Sequence, residues 1–342
     1  MKEIAVAVLN WNGQKLLEEF LPSVVKHSLN ADVFLVDNNS SDDSIAYVTE
    51  KFPAVKIIQT NANLGYAGGY NFALAEIKNP FIVLLNSDIE TTENWLDAPL
   101  RLLKSDNTIG ACQPKIKAYN AKDSFEYAGA AGGFIDYLGY PFCRGRLFEN
   151  LEKDNGQYND EREIFWASGA CLFVNRKAFY EAGQLDETFF AHMEEIDLCW
   201  RMKNNGYRIL YTSASTVYHL GGGTLNSQST QKTFLNFRNN LYLLTKNLPA
   251  TTLFPILFAR LVLDGVAGVK YLLDIKPKHC VAIVRAHFAF YANFNRLAKD
   301  RRHYYHKLKG LDSTQMYSNS IVLEHFIKGA KLFSDLKGTF KK

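Results

Sequence analysis

Phe81-Ile82-Val83-Leu84-Leu85-Asn86-Ser87-Asp88 is the stretch that decides how this chain folds. Its five leading apolar residues read as a strand covered on both faces, as strands inside parallel sheets are. The run then stops on polar residues and sets the carboxylate of Asp88 just past the strand's end. In open α/β sheets ligands gather outside the carboxyl ends of the strands. A carboxylate there can hold a hard divalent cation, which brings phosphate oxygens with it. An ordinary Asn-Ser-Asp turn is the plainer alternative.

Elements of the same kind surround this strand. Ile4–Leu9 is an apolar run that ends in Asn10-Trp11-Asn12-Gly13. Leu16, Leu17, Phe20, Leu21, Val24 and Val25 follow at helical spacing, with Pro22 expected to kink or delimit that helix. A second strand, Val33–Val36, closes on Asp37-Asn38-Asn39-Ser40-Ser41-Asp42, and Asp42 is positioned to cap a helix over Ser44–Phe52. Val55–Gln59 is a third strand. Leu64-Gly65-Tyr66-Ala67-Gly68-Gly69 opens a helix that runs through Ile77. A helix over Thr91–Ser105 and a strand over Ile109–Gln113 continue the alternation. This pace predicts an α/β fold with a mostly parallel central sheet flanked by helices.

The pattern then dissolves. Residues 120–162, rich in Gly, Tyr and charge, read as a long variable loop region. Regularity returns with a strand in Trp166–Val174, a short helix to Ala182, an acidic helix start at His192-Met193-Glu194-Glu195-Ile196-Asp197, and a strand from Tyr207 to His219.

Composition bounds the alternatives. The chain has 342 residues, and its 47% hydrophobic content supports a real core. Its five cysteines are scattered and form no C-x-x-C pair, which argues against a disulfide scaffold or a zinc site. No basic, apolar leader of the secretory kind opens the sequence. The net charge of +4 conceals an asymmetry: residues 1–230 carry 20 Lys and Arg against 29 Asp and Glu, and residues 231–342 carry 19 against 6. An acidic body thus bears a basic tail suited to an anionic surface.

Each polar cluster has a bland alternative. Asp37 can accept from a nucleobase or ribose, or simply close an Asx-turn. Gly65, Gly68 and Gly69 let backbone approach a phosphate at a helix start. No G-x-G-x-x-G follows the first strand, so a dinucleotide-dependent oxidoreductase is disfavoured. Glu194, Glu195 and Asp197 complement a helix dipole, and Asp197 can pair with Arg201. Their apolar setting also raises carboxyl pKa values, which suits a general base. His219 is a lone histidine whose Gly221-Gly222-Gly223-Thr224 sequel permits close backbone approach.

Taken jointly, these motifs decide more than any one of them does. The order strand–Asp37, Asn63-x-Gly65-x-x-Gly68-Gly69-x-Asn71, Asn86-Ser87-Asp88, Ser168-Gly169-Ala170, Glu194-Glu195-x-Asp197 and His219-x-x-Gly-Gly-Thr resembles glycosyltransferase family 2 over residues 3–245. It is most similar to the rhamnosyltransferase-like branch that builds bacterial surface polysaccharides. The resemblance implies a GT-A nucleotide-diphospho-sugar transferase fold. Its catalytic domain would span residues 1–248, with a donor half over 1–113 and an acceptor and catalytic half over 114–248. It implies donor contacts from Asn10, Asn12, Asp37, Asn39, Asn63, Gly65, Gly68, Gly69, Asn71, Asn86 and Ser87. Asp88, last of a D-x-D-type motif, and His219 would hold Mg2+ or Mn2+. Trp166, Gly169, Ala170 and Asp197 would meet the acceptor. Glu195 stands where the family has its aspartate base, and Glu194 is the alternative. The sequence departs from the family pattern at both ends of this set, with Asn86 opening the D-x-D and Glu for Asp at 195.

The implied activity is metal-dependent, inverting transfer from a UDP- or dTDP-sugar to a lipid-linked or growing glycan. Its implied location is the inner, cytoplasmic face of the cytoplasmic membrane. A sugar nucleotidyltransferase would want a glycine-rich basic signature after the first strand, and Asn10-Trp11-Asn12-Gly13 is not one. An inactive binding or scaffold subunit is the non-enzyme alternative.

Residues 249–342 form a basic, apolar extension expected to be helical. Leu253–Leu273 is apolar but places Arg260, Asp264 and Tyr271 on one helical stripe, a pattern for the bilayer interface rather than for spanning. Val281–Phe294 leads into Arg296, Lys299, Arg301, Arg302, His303, His306, Lys307 and Lys309, which suit anionic lipids. Packing on the body or a homodimer contact is the competing use of these helices. No nucleic-acid-reading motif accompanies the charge.

Overall fold

β1 (Ile4–Asn10) sends Ile4, Val6 and Val8 into one apolar layer and Ala5 and Ala7 into the other. The computed structural model describes residues 2–221, 229–305 and 310–341. In it, β1 lies between two parallel neighbours, β2 (Ala31–Asp37) and β4 (Phe81–Asn86). β3 (Lys56–Gln59) extends the parallel half beyond β2. The first layer is closed by α1 (Gln14–His27) and α2 (Ser44–Lys51), through Leu17, Leu21, Val24 and Val48. The second is closed by α3 (Gly65–Glu76), through Ala67, Tyr70, Ala73 and Leu74. Small residues at 5 and 7 leave room for the Tyr70 ring, whose hydroxyl donates to the Leu85 carbonyl at 2.9 Å. α1 continues past Pro22, which removes one helix hydrogen bond without ending the helix.

The strand after Asp88 departs from expectation. Ile89–Thr91 is a short strand, β5, and α4 covers only Asp97–Ser105. Pairing decides this: β5 lies antiparallel on the later strand Arg208–His219, with Ile89 opposite His219. Buried Trp95 fills the turn before α4.

β6 (Ile109–Ala118) and β7 (Ala121–Phe125) come next. Residues 120–162 are not a loop. Beyond β7 they form β8 (Gly133–Asp136), β9 (Pro141–Cys143), β10 (Arg146–Leu147), β11 (Asn150–Leu151) and β12 (Glu161–Ile164). Strands this short carry too few residues for a two-residue period to show, which is why the sequence pattern missed them.

β13 (Cys171–Asn175), α5 (Arg176–Glu181), α6 (Glu194–Asn204) and β14 (Arg208–His219) complete the body. The main sheet has the order β12-β14-β6-β13-β4-β1-β2-β3. It is parallel from β4 to β3 and mixed beyond, because β13 runs antiparallel to both β4 and β6.

Three helices follow: α7 (Thr230–Asn247), α8 (Ala250–Leu273) and α9 (Pro277–Tyr305). The charged stripe of α8 faces inward. Arg260 and Asp264 are buried, with Arg260 donating to the Leu138 carbonyl at 3.2 Å and lying over the Tyr140 ring. His287 of α9 approaches Asp264 at 3.1 Å. The outward surface of the pair is therefore apolar: Phe254, Phe258, Val262, Val266, Leu273 and Phe288 are all exposed.

The extension is not helical to its end. β15 (Met316–Tyr317) joins β8 in a second, five-stranded sheet, and α10 (Ile321–Phe326) follows. Phe333 and Phe340 pack on Phe134 of that sheet. Residues 316–340 thus belong to the body rather than to a separate C-terminal region. Burial of this aromatic cluster, not helix propensity, fixes their conformation.

Candidate active site

Strands β1, β2 and β4 all end on one edge of the sheet, and their terminal polar residues meet there. Asp37 is fully buried. It accepts from Asn10 Nδ2 at 3.1 Å, Ser40 Oγ at 2.5 Å and Ser40 N at 2.9 Å. The Asx-turn reading therefore holds for Asp37, and its carboxylate braces the loop. Asn12 and Asn39 adopt positive φ beside it, and Asn12 Oδ1 accepts from Ser41 N at 2.7 Å. The hub of this corner is Asn38, which the sequence reading passed over. Its Nδ2 donates to Gly65 O at 2.8 Å, and its Oδ1 accepts from Leu64 N and from Thr60 Oγ1, each at 3.2 Å. A doubled Asn after a strand was the only available signal.

The glycines of α3 serve packing. A Cβ at Gly68 would stand 2.8 Å from Leu64 Cβ, and one at Gly69 would stand 2.8 Å from Leu9 Cδ1. The expected phosphate cradle at these two positions is thus filled by the protein's own side chains. Gly65 adopts φ +70, and its Cβ would meet the Phe190 carbonyl at 2.6 Å. Asn63 Oδ1 caps Gly65 N at 2.9 Å. Asn71 is committed elsewhere as well. Its amide both donates to and accepts from the Leu185 backbone, at 2.8 and 3.1 Å.

At the centre, Asp88 and His219 approach to 3.1 Å through Oδ1 and Nε2, both buried. Leu220 N donates to Asp88 O at 3.1 Å, which ties the end of β14 to the turn after β4. Glu126, at the end of β7, lies 3.3 Å from His219 Nδ1. Burial alone would push the imidazole down, but the Glu126 and Asp88 carboxylates hold it up, at about 10. The same pairing outweighs burial at Asp88 and keeps its carboxyl below the usual range. Glu126 was invisible in the sequence because it sat inside the supposed loop. Gly222, Gly223 and Thr224 lie outside the described residues.

The third part is the entrance to α6. Phe190, His192 and Met193 all carry positive φ, an unfavourable conformation for side chains of this size. Asn239 of α7 overcomes it: its Nδ2 donates to the carbonyls of Phe189, Ala191 and His192, at 3.0, 2.9 and 2.7 Å. Tyr66 N adds a bond to Phe190 O at 2.9 Å. The held loop presents Glu194, buried, and Glu195, partly open, each with an unpartnered Oε2. Burial pushes Glu195 up to about 7, and burial with Glu195 as neighbour pushes Glu194 higher.

A short bridge joins this carboxyl pair to the central acid. The Gly169 N–H faces the Glu195 carboxyl, and Gly169 O accepts from Tyr66 Oη at 2.7 Å. Ala170 O accepts from Asn86 N at 3.0 Å. A side chain at Gly169 would strike the Tyr66 hydroxyl, at 2.8 Å.

Two acceptor expectations fail on geometry. Asp197 is fully buried and paired with Arg201, Lys246 and Asn247, each at 2.8 Å. Trp166 is buried, with its Nε1 donating to Phe134 O at 2.8 Å. Both are structural: a carboxylate this deep persists only when paired.

A buried acid and histidine thus stand at the strand edge, and a short backbone path links them to a raised carboxyl pair. The family model for glycosyl transferase family 2 matches residues 5–183, more than half of the chain. The chain belongs to glycosyl transferase family 2. It is thereby a glycosyltransferase. The N-acetylglucosaminyl-diphospho-decaprenol L-rhamnosyltransferase of Mycobacterium tuberculosis is 27% identical over 235 residues, covering 63% of this chain and 75% of the relative. Among solved structures, Staphylococcus aureus TarS 1–349 in complex with UDP-GlcNAc superposes with a TM-score of 0.54 at 16% identity, covering 89% of this chain and 92% of that one. The mannosyltransferase PcManGT of Pyrobaculum calidifontis, in complex with GDP-Man and Mn2+, gives 0.52 at 14%, covering 89% and 85%. At such identities the family 2 member and its neighbours share a fold, the GT-A architecture with C-terminal helices appended.

Proposed function

We propose that this family 2 enzyme is a metal-dependent, inverting glycosyltransferase that moves a sugar from a nucleotide diphosphate sugar to a hydroxyl of a lipid-linked glycan. The observation that carries the reading is the bridge Glu195–Gly169–Ala170–Asn86, which holds a raised carboxyl beside the Asp88–His219 pair. Residues 1–113 would hold the donor and 114–248 the acceptor, with Asn10, Asn12, Asn39, Asn63, Asn86 and Ser87 rimming the donor edge. The mycobacterial relative's name supports a lipid-linked acceptor and the TarS complex a nucleotide-sugar donor.

The residues present fit a divalent cation. Asp88 and His219, buried and adjacent, would hold it once the imidazole gives up the proton that Glu126 and Asp88 stabilise, and donor and water oxygens would complete the shell. Bound there, Mg2+ or Mn2+ supplies neutralisation of the charge that builds on the leaving diphosphate. PcManGT was solved with Mn2+, which supports the same chemistry here. Asn86, where the family has an acid, offers an amide donor toward phosphate instead of a second metal carboxylate. Glu195 takes the proton of the acceptor hydroxyl as its oxygen attacks the anomeric carbon opposite the leaving group, so one displacement inverts that centre. Glu194, buried, is pushed well above the usual carboxylate range by burial and by the Glu195 charge, so it would stay protonated beside the base.

We assign the outward face of α8 and α9 to the inner surface of the cytoplasmic membrane. α8 is long and apolar enough to cross a membrane, with a mean hydropathy of 1.7. Its inward Arg260 and Asp264 are bound into the body, which favours lying in the interface over spanning. Part of the expected basic patch serves the body instead. Arg301 donates to Thr245 O at 2.7 Å, and Arg296 pairs with Asp300 at 3.1 Å. His306, Lys307 and Lys309 lie outside the described residues.

Titrating the purified protein with UDP-, dTDP- and GDP-sugars, with and without Mn2+, tests the reading by thermal shift. One donor should raise Tm only with metal, and Asp88→Ala should abolish that shift while keeping a cooperative melt. Metal-independent donor binding, or an Asp88→Ala variant that binds like wild type, would sink it.

A further inference from the structure

Tyr127, an exposed ring, follows directly on Glu126, whose carboxylate lies 3.3 Å from His219 Nδ1. Two cations converge on that ring: the Arg146 guanidinium lies 3.9 Å from its centroid and Lys232 Nζ lies 5.7 Å away. Among the described residues no carboxylate comes within 4.0 Å of either, and the sequence over 222–228 and 306–309 contains no acid. Arg146 is mostly buried, and its Nε has no hydrogen-bond partner. Half-buried cations without acids are costly, and a protein keeps them where an anion arrives.

Their position narrows what that anion is. Burial pushes Lys232 down, Glu126 and Glu149 pull it up, and Arg146 pushes it down again. The charge of Lys232 also adds to burial in lowering His192, beside the carboxyl pair. Lys232 is thus near both the central acid and the base loop. On its far side the cationic surface continues. A cavity of about 360 Å3 between the starts of α7 and α9 is lined by Thr230, Lys278 and Arg285, with Val281 at its edge. From there the exposed apolar surface begins, through Val281, Val284 and Phe288.

We propose that Arg146 and Lys232 form the subsite for the diphosphate of a lipid-linked acceptor, whose hydrocarbon chain leaves past Lys278 and Arg285 along the apolar face of α8 and α9. This rests on the glycosyltransferase reading with a lipid-linked acceptor, and it adds the acceptor's chemical class. The order metal pair, cations, apolar face matches sugar, diphosphate, lipid. Arg146 suits the role because a guanidinium can bind phosphate oxygens in pairs.

The test uses the full chain and two probes. UDP with Mn2+ reports the donor site. Farnesyl diphosphate, added to protein already saturated with UDP and Mn2+, reports the proposed subsite. Wild type should bind farnesyl diphosphate and not farnesol. Arg146→Gln and Lys232→Gln should each weaken it about tenfold or more, as loss of a charged hydrogen bond does. Affinity for UDP should stay within about twofold, and Lys232→Arg, which keeps the charge, should keep most of the farnesyl diphosphate binding and the wild-type melt. A variant that loses UDP affinity would assign the cations to the donor instead. Unchanged farnesyl diphosphate binding with weakened attachment to phosphatidylglycerol vesicles would assign them to a phospholipid headgroup. Either result overturns the proposal. Failure of wild type to bind UDP with Mn2+ would instead remove the glycosyltransferase reading beneath it.

Discussion

A carboxyl in the first turn of a helix is ordinarily held ionised by the helix dipole and nearby N–H groups. At Glu195 burial outweighs both and pushes it up to about 7, with Glu194 higher still. Two consequences follow from one shift. As a base, the side chain must lose its proton, so transfer should rise with pH through about 7, and a flat profile across that range would remove Glu195 from the role. For stability the sign is opposite. The folded state binds this proton more tightly than the unfolded chain, whose value is near 4.5. The group therefore costs stability progressively as pH rises from the unfolded value to the folded one. Glu195→Gln should lower transfer by about 10²–10⁴-fold, leave donor affinity unchanged and raise Tm at pH 8. A dead Glu194→Gln beside an active Glu195→Gln would move the base by one residue. The sequence named both carboxyls. The family pattern put Glu195 first, and the packed loop leaves Glu195 the more accessible of the two.

The loop from Phe189 to Met193 is strained along its own backbone, and its conformation is imposed from another element. Three carbonyls hang on the amide of Asn239, fifty residues away along the chain. Asn239→Ala leaves those acceptors unsatisfied and should cost about 1–3 kcal/mol each at most, read as a lower Tm. Its sharper signature is kinetic: kcat should fall while donor affinity holds, since the corner proposed for the donor is braced by Asn38 and Asp37 rather than by Asn239. Equal loss in both would mean that the loop also shapes the donor site. The helices and strands of the first hundred residues were legible because their apolar periods are long and regular. The small sheet over 133–151 was not, since its strands are short and its fifth member comes from Met316–Tyr317.

Across the whole molecule, the C-terminal residues do two different jobs. Residues 316–340 complete an aromatic cluster, so truncation after residue 309 should strip Phe134 and Phe142 of Phe333 and Phe340. The truncated protein should lose its cooperative melt or precipitate. A soluble protein with an unchanged Tm would contradict that packing. The α8–α9 face does the other job. Replacing Phe254, Phe258 and Phe288 with Ser should release the protein from anionic vesicles, since each buried phenylalanine contributes about 1.5–3 kcal/mol. Raising salt should weaken attachment only in part, because apolar insertion is not screened. Wild type that is extractable only by detergent would point to α8 spanning the bilayer.

What the sequence by itself determined was the parallel half-sheet and the family, and it named the candidate residues Asp88, His219, Glu194 and Glu195. Those signals are local, set by apolar period and by polar residues at strand ends. Only the tertiary structure decided that Asp37, Asn71, Trp166 and Asp197 are braces, that Gly68 and Gly69 make room for packing, and that Glu126 stands behind His219. It alone turned the charged stripe of α8 inward. Each of those outcomes depends on which partner arrives from elsewhere in the chain, and a side chain's availability to ligand is what remains after those partners are paired.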